Sequence, residues 1–60
     1  MIKEDSKKII DFAYRDCLAL YDEGFTVDNL RELLTLYEEK ELYLACAGIK
    51  LAINKLTNDE

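Results

Sequence analysis

Residues 42–56 read LYLACAGIKLAINKL, and this stretch decides the fold because it is apolar on two sides of one helix. One stripe recurs at spacings of three and four residues, as on an α-helix: Leu42, Ala45, Cys46, Ile49, Ile53 and Leu56. A second set lies on another side of the same helix: Leu44, Ala47, Gly48 and Leu51. A helix that is apolar nearly all round is usually buried nearly all round. The sequence therefore predicts a third helix, over about residues 40–57, that needs partners on both sides.

Two shorter patterns upstream predict two more helices. The first, over about residues 3–22, carries the stripe Ile10, Ala13, Tyr14, Cys17, Leu20 and Tyr21. Gly24 can then adopt the left-handed conformation that closes a helix, and Thr26 is a suitable N-cap for the next one. The second helix, over about residues 27–38, carries Leu30, Leu33, Leu34 and Tyr37.

The boundary between the second and third helices is the least determined part of the pattern. From Tyr37 to Leu42 the apolar stripe steps by five residues, which rotates it by about 140° around a continuous helix. This step predicts a tight turn near residues 38–40, although no Gly or Pro occurs there. One long bent helix over residues 27–56 is the alternative. With a turn, the chain is an all-α, three-helix, up-down-up bundle, and residues 1–60 form a single helical domain.

The composition of the chain limits which kinds of binding partner and which cellular compartment we expect. Thirteen acidic residues against eight basic ones give a net charge of −5, the wrong sign for binding the nucleic-acid backbone. No stretch approaches the ~20 apolar residues of a membrane span, and no signal-peptide pattern begins the chain. Cys17 and Cys46 are an isolated pair, which indicates free thiols in a reducing setting. We therefore expect a cytoplasmic protein that contacts neither membrane nor nucleic acid directly.

The residue types that catalysis requires do not form a recognisable constellation. The chain has no His, the commonest general base and metal ligand. No Ca²⁺ loop, phosphate-binding Gly-rich loop or dinucleotide fingerprint occurs in the sequence. We therefore expect no enzyme activity, no catalytic, cofactor-binding or metal-ligating residues, and no cofactor.

The second apolar set of the third helix is the predicted interface. Its small residues, Ala47 and Gly48, allow another helix to approach closely. A domain this short also gains little stability from its own core, which favours a homodimer or a higher oligomer. The predicted interface residues are Leu44, Ala47, Gly48 and Leu51, with Phe12 as an extension. Two alternatives are that Leu36 and Phe12 cover this face within one chain, or that a different protein docks on it.

One end of the bundle is predicted to concentrate negative charge. The acidic residues expected there are Asp22, Glu23, Asp28, Asp59 and Glu60. They form either a solvated rim that keeps the protein soluble or a docking point for a basic partner surface.

Residues 33–56 are similar to the UVR motif, a helical hairpin of bacterial excision-repair subunits and of regulators of the Clp protease system. The similarity is carried by Glu41, Tyr43, Cys46, Ala47, Ile49 and Lys50, followed by Ile53 and Leu56 at aliphatic positions. The chain departs from the motif at Leu42, Leu44 and Leu51, where the family usually has acids. The resemblance implies a protein–protein interaction hairpin that pairs with a second hairpin, without catalysis.

Together these patterns predict a small acidic interaction module that acts stoichiometrically, as an inhibitor or adaptor of a larger bacterial host protein. Its size and charge are similar to those of accessory proteins encoded by bacteriophages and mobile elements. The alternative is an acidic DNA mimic that blocks a nucleic-acid-binding protein. Binding by a mimic would weaken steeply with salt, whereas apolar docking would not. A third option is a purely structural subunit that forms a large closed oligomer.

Overall fold

A computed structural model describes the backbone of residues 2–58 and the side chains of residues 5–58, and it is an all-α three-helix bundle. The helices are α1 (Ile2–Asp22), α2 (Val27–Glu39) and α3 (Tyr43–Asn58), joined by two short turns. Short connections make successive helices antiparallel, so the chain runs up-down-up as the sequence predicts. No helix in the described part of the chain combines the length and apolar composition needed to cross a membrane.

Helix α3 is the centre of the bundle, because α1 and α2 both pack against it and contact each other far less. This arrangement explains part of the second apolar side of α3, because α1 packs there against Gly48. The hydrophobic residues that are fully buried are Cys17 of α1, Leu30 of α2, and Cys46, Ile49 and Ala52 of α3. Half-buried side chains, including Tyr14, Leu33 and Tyr37, pack around this core.

Gly48 sets the distance between α1 and α3. A Cβ atom at this position would lie 2.6 Å from the Ala13 Cβ and 2.9 Å from the Tyr14 backbone nitrogen, and closer still to the Ile10 carbonyl oxygen. Two of these three atoms belong to the α1 backbone and cannot rotate away. The close approach that a helical glycine permits is therefore made by α1 of the same chain.

The turn between α1 and α2 follows the predicted chemistry. Gly24 has φ +118°, and the Phe25 amide donates to the Leu20 carbonyl (3.0 Å), which closes α1 in a Schellman motif. Thr26 caps α2: its hydroxyl accepts from the Asn29 amide (3.1 Å), and the Asn29 side chain accepts from the Thr26 amide (3.0 Å). The sequence predicts the cap, and the structure adds this reciprocal capping box.

The turn between α2 and α3 lies slightly later than predicted. Helix α2 continues to Glu39, and α3 begins at Tyr43 instead of near residue 40. Glu41 takes the left-handed conformation (φ 62°), and the Leu42 amide donates to the Tyr37 carbonyl (3.0 Å). This is a second Schellman motif, formed without glycine. The single bent helix over residues 27–56 is therefore wrong.

Candidate interaction surfaces

The described side chains include many large apolar ones that remain exposed to solvent. These are Ile9, Phe12, Tyr21, Phe25, Leu36, Leu42, Tyr43, Leu44 and Leu51. Among them, Tyr21 was expected on the core stripe of α1 but lies at its exposed edge. Isolated apolar residues are normal on protein surfaces, whereas groups of them mark contact sites. A contact site is therefore expected where several of these exposed side chains lie on one surface.

The first surface to consider is what we call the α1–α3 groove, which contains Leu51 from the exposed side chains above. Its lining residues are Lys7, Lys8, Ile10, Asp11, Tyr14 and Leu51. Leu51 is 52% exposed, while Ile10 and Tyr14 are half-buried. The groove is thus apolar in its interior, with two lysines and one aspartate among its lining residues. The Asp11 carboxylate also lies 3.2 Å from the Arg15 guanidinium, one turn later on α1.

The predicted interface residues on α3 separate into two groups in the structure. Leu44 (38% exposed), Ala47 and Leu51 lie along the outer edge of α3, where a second molecule can reach them. Gly48 does not, because it is buried against α1. The prediction that Gly48 lies on an outer face is therefore wrong. The close helix approach that Gly48 permits is made by α1 of the same chain.

Phe12 is not an extension of this edge. It is 77% exposed and lies on a different side of α1, where it shares a shallow surface with Lys8, Asp11, Arg15, Asp16 and Ala19. The alternative in which Phe12 and Leu36 cover the second face of α3 is also not realised, because Leu36 is 47% exposed. Helix α1 covers part of that face instead, through Gly48 and Ala52.

A second group of exposed apolar side chains forms a cleft between α1 and α2, which sequence reasoning missed. The residues that line this α1–α2 cleft are Leu20, Phe25, Asn29, Leu30, Glu32, Leu33 and Leu36. Leu30 is fully buried at its base, and Phe25 (46% exposed) and Leu36 stand at its margins. The cleft exists because α1 and α2 both pack on α3 and leave a gap between them. The available signal was Leu36, which lies off the main stripe of α2.

The predicted acidic end is only partly formed by the described residues. Asp22, Glu23 and Asp28 are exposed near the α1–α2 turn. Asp59 and Glu60 lie outside the described residues. Asp28 lies 3.5 Å from the Arg31 guanidinium, so part of the negative charge at this end is compensated by a residue that the sequence reasoning did not place there.

The two cysteines are free and buried, as the sequence predicts. Burial, with a smaller contribution from the neighbouring Asp16 carboxylate, raises the pKa of the Cys17 thiol. The Cys46 sulfur lies 4.0 Å from the Leu34 carbonyl oxygen, to which it can donate weakly across the α2–α3 contact. A neutral, buried thiol packs as a small hydrophobe, so both residues belong to the core.

No group of three or more metal-ligating side chains occurs within residues 5–58. Searches against protein-family models, curated proteins and solved structures found no match to the chain. The candidate interaction surfaces of the described residues are the α1–α3 groove with the adjoining outer edge of α3, and the α1–α2 cleft.

Proposed function

We propose that the chain is a small acidic protein–protein interaction module that self-associates as a two-fold dimer. The contact surface would be the outer edge of α3, formed by Leu44, Ala47 and Leu51, together with the α1–α3 groove beside it. In this role the protein acts stoichiometrically, by occupying a surface on a larger protein as an inhibitor or adaptor.

The observation that carries this proposal is the amount of surface that the single chain leaves accessible. The chain exposes 4704 Å². A compact monomer of 7.0 kDa is expected to expose about 4,000 Å². The difference, about 700 Å², indicates that the three helices cover one another incompletely. Nine large apolar side chains of the described residues are at least 38% exposed, so burying those at the contact surface against a second copy would add the stability that a small core cannot supply.

The proposed dimer surface combines apolar contact with charges of both signs. Leu51 offers an exposed aliphatic side chain next to the half-buried Ile10 and Tyr14. Lys7 and Asp11 lie beside them in the same groove. In a two-fold contact, residue i of one copy meets residue j of the other and the reverse, so the lysine of each copy can meet the aspartate of the other.

The hairpin of α2 and α3 is the part of the chain that resembles the UVR motif, and this resemblance supports a role in pairing with other proteins. The buried free cysteines support a cytoplasmic location, where thiols stay reduced. The DNA-mimic alternative gains no specific support, because Arg15 and Arg31 each lie against an aspartate and interrupt the rows of negative charge.

The self-association is tested by light scattering on a dilution series of the wild type and two variants. Leu51→Lys places a charge in the proposed dimer surface, and Phe12→Lys makes the same kind of change at a more exposed position on another side of α1. We expect the wild type and Phe12→Lys to have twice the mass of the chain, and Leu51→Lys to be a folded monomer.

Two results would contradict a dimer formed through the outer edge of α3. One is a wild type that is monomeric at every concentration, with a melting temperature independent of concentration. The other is a dimer that Phe12→Lys dissociates and Leu51→Lys does not. Circular dichroism of each variant shows that the helices are retained, so that loss of the dimer is separated from loss of the fold.

A further inference from the structure

We propose that the α1–α2 cleft binds an amphipathic helix from a partner protein, with apolar residues on one face and basic residues around it. This inference rests on the proposed function only in assuming that the chain acts by binding other proteins, and it concerns a surface that is separate from the proposed dimer contact. It names the chemical class of the partner.

The cleft presents a continuous apolar lining along one side of α2. Its base is the buried Leu30, its sides include the half-buried Leu20 and Leu33, and Phe25 and Leu36 stand exposed at its margins. Along α2 it extends from Asn29 to Leu36, which is about 10 Å at 1.5 Å per residue. A length of two helical turns accommodates apolar anchors at positions i, i+3, i+4 and i+7 of a bound helix.

The charges around the cleft identify the partner as basic. Glu32 lines the cleft and is exposed. Glu23, in the turn between Leu20 and Phe25, is also exposed. Arg31 lies elsewhere, in a groove between α2 and α3 that it shares with Lys50. The basic residue on this side of α2 is Lys40, which lies one turn after Leu36, at the C-terminal end of the helix.

The α1–α3 groove provides an internal comparison. It is also apolar, but Lys7 and Lys8 are among its lining residues, whereas within residues 5–58 no lysine or arginine lines the α1–α2 cleft. Since electrostatic complementarity selects partners, a basic helix should distinguish between the two surfaces. A second copy of this chain, with a net charge of −5, is the less suitable occupant of an acidic cleft.

The test uses two synthetic peptides of about 14 residues with the same leucines at i, i+3, i+4 and i+7. One has lysine on its polar face, and the other has glutamate. Each is titrated into the ¹⁵N-labelled full chain while amide chemical shifts are followed. We expect the lysine peptide to bind at least tenfold more tightly at low salt, with shifts concentrated in residues 20–36, and added salt to reduce this preference.

Variants of the chain then connect the binding to the cleft. Leu36→Lys and Glu32→Lys should each weaken binding of the lysine peptide by tenfold or more, because both change exposed side chains that line the cleft. Leu51→Lys is the matched control on the α1–α3 groove and should bind the peptide as the wild type does. Because Leu51→Lys also tests the dimer, a failure of the dimer and a failure of the cleft produce different results.

Four outcomes would overturn the proposal. The peptides could bind equally well, which would mean that charge does not select the partner. The shifts could fall on residues 7–14 and 44–51, which would place the site in the other groove while leaving the proposed function standing. The lysine peptide could fail to bind at millimolar concentration. Finally, concentrating the chain alone could shift the amides of residues 20–36, which would identify a second copy as the occupant of the cleft.

Discussion

Replacing Gly48 by alanine should destabilise the fold, although the same change normally stabilises a helix. Glycine in a helix interior is about 1 kcal/mol less favourable than alanine, so propensity alone predicts a gain of that size. The structure predicts the opposite sign. A Cβ at position 48 would lie 2.6 Å from the Ala13 Cβ and 2.9 Å from the Tyr14 nitrogen, and closer still to the Ile10 carbonyl.

The size of the effect follows from what has to move. Because two of the three contacts are α1 backbone atoms, α1 and α3 must separate by roughly 1 Å, and a gap of that size removes a quarter to a half of the dispersion energy of the contacts. Overpacking of this kind costs up to about 3 kcal/mol. After the gain in propensity, a net loss of about 2 kcal/mol remains, which corresponds to a fall in melting temperature of roughly 8–16 °C for a domain of this size. Gly48→Leu should prevent folding altogether, instead of affecting only association.

The assay is urea denaturation followed by circular dichroism at one protein concentration. Asn54, an exposed residue of the same helix, supplies the matched control through the pair Asn54→Ala and Asn54→Gly. At position 54 we expect the alanine variant to be more stable than the glycine variant by about 1 kcal/mol. At position 48 the order should be reversed. If Gly48→Ala proves more stable than the wild type, the close contact between α1 and α3 is incorrect.

Three further predictions concern the turns and the core. Glu41→Gly should stabilise the chain by about 0.5–1 kcal/mol in the same assay, because Glu41 has a left-handed backbone conformation (φ 62°). Gly24→Ala should destabilise the chain, because Gly24 has φ +118°, although no atom lies within 4 Å of the added Cβ. Thr26→Ala should cost about 1 kcal/mol through loss of the α2 N-cap, and Thr35→Ala, within α2, should cost less. Burial raises the pKa of the Cys17 thiol in the folded chain. The free energy of unfolding should therefore not change with pH below the thiol's pKa in the unfolded chain, about 8.5, and should fall above it. Cys17→Ala should reduce this fall in urea titrations at about pH 7–10.

The helices could be predicted from the sequence because each one has a clear apolar stripe, and the first turn could be predicted because Gly24 and Thr26 have strong local preferences. The second turn could be predicted only approximately. Glu41 adopts a left-handed conformation that glutamate disfavours by about 1 kcal/mol or more, and nothing in the sequence marks it. The bundle imposes this conformation, because it lets Leu42 close α2 while α3 turns back along it.

The candidate surfaces could be predicted less well than the fold, and the difference has a geometric cause. Spacing along one helix shows which residues share a side of that helix, but it does not show which side meets which neighbour. Gly48 and Leu51 belong to the same apolar set in the sequence, yet α1 covers Gly48 and leaves Leu51 half exposed. Phe12 is similarly apolar but lies away from α3 altogether.

The central position of α3 also explains where the free apolar surface occurs. Three helices that packed evenly would each cover the other two, and the apolar stripes would be buried in one shared core. Here α1 and α2 both pack mainly against α3 and make few contacts with each other, so the sides that they turn toward each other stay partly exposed. The α1–α2 cleft is therefore a consequence of the same two-sided pattern in residues 42–56 that determines the fold. A larger side chain that fills the cleft, as in Leu33→Phe, should close it to the lysine peptide while leaving self-association through α3 intact.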